Sequence, residues 1–297
     1  MTTRSLTMLI MGMEGKGRPS ILNGSLIKGR RFGAMCVGDD SSVFEIRDST
    51  FDTGKSSIVV KQSSSIINIT NSVMKSGNKV LLQLMDTDEC GMDVVKFYPP
   101  IDREDEYIEG RDLTAVDPEL DVRLNLTDME VEGDVYNSTT NLRAYLTCER
   151  DGMGSFHDTQ VGPVAFNGDN NADSDAAVEG PAKDQRGPKN LAVCAVNTHI
   201  TGVISSAVQR YPEGVTVLTA DNRLDISNIT QTAARPVNNG VILTLGTGSV
   251  WSVSGTSWLT SLTIEEGARL EGRLIVNGEE VPVATGRFTG LIEVSPL

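Results

Sequence analysis

Apolar and polar residues alternate in short runs along most of the chain. The densest run lies between Val241 and Gly272, where Val241, Leu243 and Leu245, then Trp251 and Val253, then Leu262 and Ile264 are separated by Gly246, Gly248, Gly255 and Gly267. A period of two buries one face of each short segment and leaves the other wet. Glycine-bearing corners every few residues exclude a long helix and predict strands that turn and come back.

The pattern recurs as a word. In Trp251-Ser-Val253-Ser-Gly255-Thr-Ser-Trp258, apolar residues stand at positions 1, 3 and 8, with a small or polar corner at 5. The segments beginning at Phe44, Ile67 and Leu124 fit it, with Asp48, Asn71 and Asp128 at the corner; the one beginning at Leu224 fits until Gln231. Phe44 and Ile67 are 23 residues apart, the spacing of stacked repeats too small to bury an apolar face alone. Wider gaps between later copies predict long insertions.

Read in order, residues 1–98 form a regular series, with a first strand at Leu6 to Met11. The acidic stretch 99–119 and the Gly/Asp/Asn-rich stretch 149–190 break the rhythm and predict projecting loops, which at such length usually carry function. Residues 191–297 restore the pattern. Asn277-Gly278 between apolar runs predicts a hairpin, and residues 273–297 a C-terminal cap over the end of the stack. The whole of 1–297 reads as one domain.

Composition sharpens this picture. Aromatic residues are 5% of the 297, and a thin, regular Val/Ile/Leu core needs few. The formal net charge of −14 argues against nucleic acid, because binding phosphate needs clustered Lys and Arg. Cys36, Cys90, Cys148 and Cys194 are scattered without a Cys-x-x-Cys pair, and two histidines complete a poor ligand set for zinc. Cys36 and Cys194 sit in apolar runs and read as core strand positions. Two disulfides are allowed by number, with no pairing selected. No apolar run is long enough for a membrane-spanning helix.

Candidate chemistry is sparse. Asp169, Asn171, Asp173 and Asp175 place oxygens at alternate positions, as loops for hard cations do, and nominate calcium. Ser174 and Gly180 depart from such a loop at its sixth and twelfth positions, and a solvated loop is the competing reading. Asp39-Asp40, following a core strand at Gly38, resembles the Gly-Asp-Asp corner of pectin-hydrolysing β-helices, where two carboxyl groups serve as acid and base. The companion elements of that family are missing, and a solvated turn is the stronger reading. Tyr98, Tyr107, Tyr136, Tyr145 and Tyr211 with Trp251 and Trp258 offer a sugar-stacking strip, against which Trp251 at an alternating position reads as core. No other cofactor is indicated.

The stretch from Ser249 to Ile264, with Trp251, the Gly255-Thr-Ser257 corner and the Leu259-to-Leu262 step, resembles the motif near the ends of pertactin-like passenger regions of bacterial autotransporters. The resemblance covers roughly 241–276 and implies a right-handed parallel β-helix, secreted or displayed at a bacterial surface. Together the readings predict an all-β, right-handed parallel β-helix (β-solenoid) with long loop insertions. The function expected is a non-enzymatic, adhesin-like scaffold whose loops bind a host or bacterial surface glycan or protein. The alternatives are a β-helix polysaccharide lyase or glycoside hydrolase, and a phage tail-spike fragment that trimerises.

Overall fold

A computed structural model describes residues 8–11, 19–37, 42–61, 63–85, 94–97, 112–139, 146–149, 189–210, 217–218 and 227–297. These residues are all-β, with no helix among them. After β1 (Met8–Met11) the strands arrive in triplets. The first is β2 (Ser20–Asn23), β3 (Leu26–Gly29) and β4 (Ala34–Val37); the second is β5 (Val43–Arg47), β6 (Thr50–Thr53) and β7 (Ile58–Lys61). The third is β8 (Ile66–Thr70), β9 (Val73–Ser76) and β10 (Val80–Met85). Beyond β11 (Val94–Phe97) come β12 (Val122–Thr127), β13 (Glu130–Glu132) and β14 (Asp134–Asn137), and beyond β15 (Leu146–Glu149) come β16 (Leu191–Val196), β17 (His199–Gly202) and β18 (Ile204–Arg210). After β19 (Val217–Leu218) and β20 (Thr230–Ala233) follow β21 (Val241–Leu245), β22 (Val250–Val253) and β23 (Ser257–Ile264). The chain closes with β24 (Arg269–Glu271), β25 (Arg273–Val276), β26 (Glu279–Val281) and β27 (Gly286–Ser295).

First strands pair in parallel with first strands, in the order β2-β5-β8-β12-β16-β21-β23. Third strands do the same, in the order β1-β4-β7-β10-β14-β18. Second strands form two parallel runs, β3-β6-β9 and β13-β17-β22-β24.

Alternation in the sequence explains the register. Phe44, Ile67, Leu124, Val193, Leu243 and Leu262 are successive partners along the first sheet, all buried; Ile46, Ile69, Leu126, Ala195, Leu245 and Ile264 form a second such column. Shifting any strand by one residue would turn its apolar set outward. Burial of each Val, Leu, Ile or Phe in these columns contributes about 1.5–3 kcal/mol. One apolar cluster therefore runs from Ile27 to Val294.

The word at Phe44, Ile67 and Leu124 stacks as the repeat predicts. The word at Trp251 does not join that column: Trp251 lies on a second strand, between Ile200 and Leu270. Each strand carries inward residues two apart, so an apolar-x-apolar motif fits a first or a second strand equally well.

The corner after each first strand is also a column. Gly24, Asp48, Asn71, Asp128, Asn197, Gly248 and Gly267 all hold positive φ, between 45° and 81°. Gly, Asn and Asp enter this region most cheaply, which is why the corner is written in those residues. One residue further on, a hydroxyl ladder closes the turn. Ser25 N donates to Ser49 Oγ at 3.1 Å, Ser49 N to Ser72 Oγ at 3.0 Å, and Thr198 N to Ser249 Oγ at 3.2 Å. Met129 breaks the ladder, and Ser72 N meets its Sδ at 3.3 Å.

The third sheet is buried on both faces. Its outer side carries Met35 and Val59, which with Phe32 and Met85 pack against Ile229; farther along, Val80, Tyr136, Val203 and Ala207 pack against Ala233. Segment 227–233 thus lies as a strap across that face, tied by Gln83 Nε2 donating to Ser227 O at 3.1 Å. At the C-terminal end, β27 runs antiparallel to β23 and to β25, and β25 turns into β26 through Asn277 (φ 52°) and Gly278 (φ 87°). Two successive left-handed residues are what a two-residue hairpin needs to match strand twist.

Candidate functional site

The insertions share one point of departure. Residues 86–121, 138–190 and 211–240 all leave after a third strand and return before the next first strand. Their strands find one another: β11 pairs antiparallel with β15 on one side and β19 on the other, so each insertion gives one strand to a small separate sheet.

A buried polar cluster forms the root of these insertions. In the third sheet, Cys36, Val60 and Leu84 occupy one inward column; its next two members are Asn137 and Ser206. The switch from apolar to polar falls where the second and third insertions depart. Asn137 is fully buried, and its Nδ2 donates to Lys189 O at 2.8 Å and Gly240 O at 3.0 Å. Its Oδ1 accepts from Thr139 N at 3.1 Å and Thr139 Oγ1 at 2.7 Å. Lys189 N in turn donates to Thr139 Oγ1 at 3.1 Å, so the second insertion starts and ends at one hydrogen-bonded point.

Neighbouring roots are tied in. Lys189 Nζ, buried, donates to Leu120 O at 2.8 Å and Ser64 Oγ at 3.2 Å, joining the first insertion to the second. Asn239 Nδ2 donates to Asn137 O at 2.9 Å, and Ser206 Oγ to Asn239 O at 2.6 Å, joining the third. Asp121, also buried, accepts from Asn190 N at 2.7 Å and Asp117 N at 2.8 Å. Buried polar groups must be paired, and here the pairing fixes where all three insertions return and where the second begins.

Charge is segregated along the same line. Residues 86–121 hold 13 acidic and 3 basic side chains, 138–190 hold 8 and 5, and 211–240 hold 3 and 2; the remainder of the chain holds 16 of each. The whole formal charge of −14 therefore belongs to the insertions, on an otherwise neutral stack.

The sequence-nominated residues distribute unevenly. Asp39, Asp40, Asp169, Asn171, Asp173 and Asp175 lie outside the described residues, as do Tyr98, Tyr107, Tyr145 and Tyr211. Trp251 is core, fully buried with Nε1 donating to Gly202 O at 3.0 Å. Tyr136 is buried, its hydroxyl donating to Asp134 Oδ2 at 3.1 Å, and burial pushes its pKa up. Trp258 stacks under Arg235, whose guanidinium carbon is 5.2 Å from the ring centre. Cys36 and Cys194 are free thiols; burial drives Cys36 up to about 12, which leaves it neutral and inert. Among the described residues no group of three or more His, Cys, Asp or Glu is placed to hold a metal ion, and no helix is long and apolar enough to cross a membrane.

The root was not found from sequence. Asn137, Lys189, Asn190 and Asn239 are separated by insertions of unequal length, and no spacing rule links them. The legible signal is the polar pair Asn137 and Ser206 in a column otherwise apolar, visible only once the register is known. Comparisons with family models, with curated proteins and with solved structures find no match for this chain.

Proposed function

We propose that the chain is a right-handed parallel β-helix acting as a secreted or surface-displayed, adhesin-like scaffold, and that its business end is the flank where the insertions emerge. The parallel triplets support the helical reading, and parallel crossovers are right-handed in about 98% of cases. One observation carries the functional reading: three insertions return to a single polar root on a neutral stack, pair with one another, and hold the entire net charge. A scaffold of this kind spends its buried side chains on ladders and its variable chemistry on loops. The partner is a glycan or protein on a host or bacterial surface, and an acidic flank selects one with basic or cation-bridged character.

The test is excision. A variant with 140–188 replaced by a short Gly-Ser link joins two ends already hydrogen-bonded through Thr139 and Lys189. Surface binding by the full chain, lost in a variant that keeps its cooperative melting, supports the scaffold. Turnover of a polysaccharide by the purified chain, or surface binding undiminished by the excision, overturns it.

A further inference from the structure

The outward face of the first sheet carries a feature the stack does not need. Arg123 is an outward residue of β12, between Ile66 on β8 and Ala192 on β16, and Ile242 continues the row on β21. Its Nε is enclosed and makes no hydrogen bond, and its guanidinium has no ion-pair partner among the described residues. Leaving a buried donor unpaired is costly, and the cost is greater for a charged group. Arg123 as a whole is half-buried, so its terminal nitrogens, beside Ile66 and Ala192, are not enclosed and have no protein partner among the described residues.

The next outward row supplies oriented polar groups. Asn125 Nδ2 donates to Asn68 Oδ1 at 2.7 Å, and Asn68 Nδ2 donates to Glu45 Oε1 at 2.6 Å. Each amide donates one N–H in this chain, and the amides repeat at the strand spacing of about 4.8 Å. Segment 112–121, the return of the first insertion, is fixed to the neighbouring strands. Asn190 Nδ2 bonds to Asp112 O and Ala115 O, both at 3.0 Å, and Arg287 reaches across from Ser261 Oγ to Thr114 O. Hydrogen bonds from Thr114, and less strongly the Arg287 charge, hold the Asp112 carboxyl below its ordinary range.

The geometry points to a binding site for an acidic saccharide on this face, with Arg123 receiving a carboxylate or sulfate in its planar fork and Asn125 and Asn68 reading hydroxyls. The row of Ile66, Ala192 and Ile242 offers the apolar floor that sugar C–H faces prefer, which a simple anion would not use. This assignment does not rest on the insertion-borne binding proposed above.

Calorimetric titration of the full chain with an oligosaccharide of alternating glucuronate and N-acetylglucosamine tests it. An oligomer of N-acetylglucosamine alone and inorganic sulfate are titrated alongside. Expected are binding of the acidic oligosaccharide at least tenfold tighter than of the neutral one, a further tenfold loss in Arg123→Gln, and partial retention in Arg123→Lys. Arg269→Gln, on the second-strand face, leaves affinity unchanged, and so does excision of 140–188. Because Arg123 is unpaired, Arg123→Gln melts no lower than the parent, which separates lost binding from lost fold. Absent binding, equal binding of the neutral oligomer, sulfate binding as tight as the acidic saccharide, or affinity indifferent to Arg123→Gln overturns the assignment.

Discussion

Asn71 Nδ2 donates to Asp48 Oδ1 at 2.6 Å, and both residues hold left-handed backbone, at φ 45° and 48°. Asn197 and Asp128 repeat the relationship farther along, again at 2.6 Å. These corners combine two properties: tolerance of positive φ, and a side chain able to pair with the next corner. Asn and Asp supply both, whereas the glycines at 24, 248 and 267 supply only the first.

Substitution at Asn71 separates the two. Asn71→Val forces a β-branched residue into the left-handed region and should cost about 1–3 kcal/mol in urea unfolding. Asn71→Gly loses an exposed hydrogen bond but removes backbone strain, and should stay within about 1 kcal/mol of the parent. Equal losses in the two variants would mean that backbone conformation is not what the corner selects.

The hydroxyl ladder makes a second prediction. Ser72 Oγ accepts from Ser49 N in a buried corner and donates to Thr70 O at 2.8 Å. Ser72→Ala strands a buried N–H and should cost about 1–3 kcal/mol. Ser25, whose hydroxyl only donates to Asn23 O at an exposed site, should lose under about 0.5 kcal/mol as Ser25→Ala. Denaturant midpoints at constant m-value check the contrast.

These ladders mark what the sequence makes legible and what it hides. Phe44, Ile67 and Leu124 repeat at the right phase because alternation and a left-handed corner are local properties, written in adjacent residues. Trp251 misleads because its inward spacing is shared by every strand, while its neighbour Gly255 is not a left-handed corner at all. Lys189 and Asn137 meet across 52 positions, and only the parallel register brings them together. Arg123 is conspicuous in sequence as a charge between Val122 and Leu124, yet its lack of a partner is a fact of the folded state.

The root predicts a division between the insertions and their anchor. Asn137→Ala strands Thr139 N–H and removes a donor from two carbonyls, at a cost of about 2–4 kcal/mol. Excision of 140–188 leaves those bonds in place and, among the described strands, removes only β15, at the edge of the small separate sheet. The excised variant should therefore melt close to the parent, and Asn137→Ala well below it. A scanning calorimetry comparison in which the excision is the more damaging change would mean that the polar root does not anchor the insertions.

Cys36 makes the fold less stable at alkaline pH. Its thiol rises from 9.0 to about 12 because burial disfavours the thiolate, with a smaller opposing contribution from a hydrogen bond to Ser65. In the unfolded chain the thiol ionises at its ordinary value, so below that pH both states keep the proton and stability is unaffected. Between 9.0 and about 12 the unfolded state gives up a proton that the folded state retains. Folding then loses up to about 1.4 kcal/mol per pH unit from this one group. Cys36→Ala removes that slope while opening a small cavity, so its stability should be lower than the parent's at pH 8 and fall less steeply above pH 9. Parallel pH–stability curves for the two proteins would show that Cys36 is not a protonated member of the buried column.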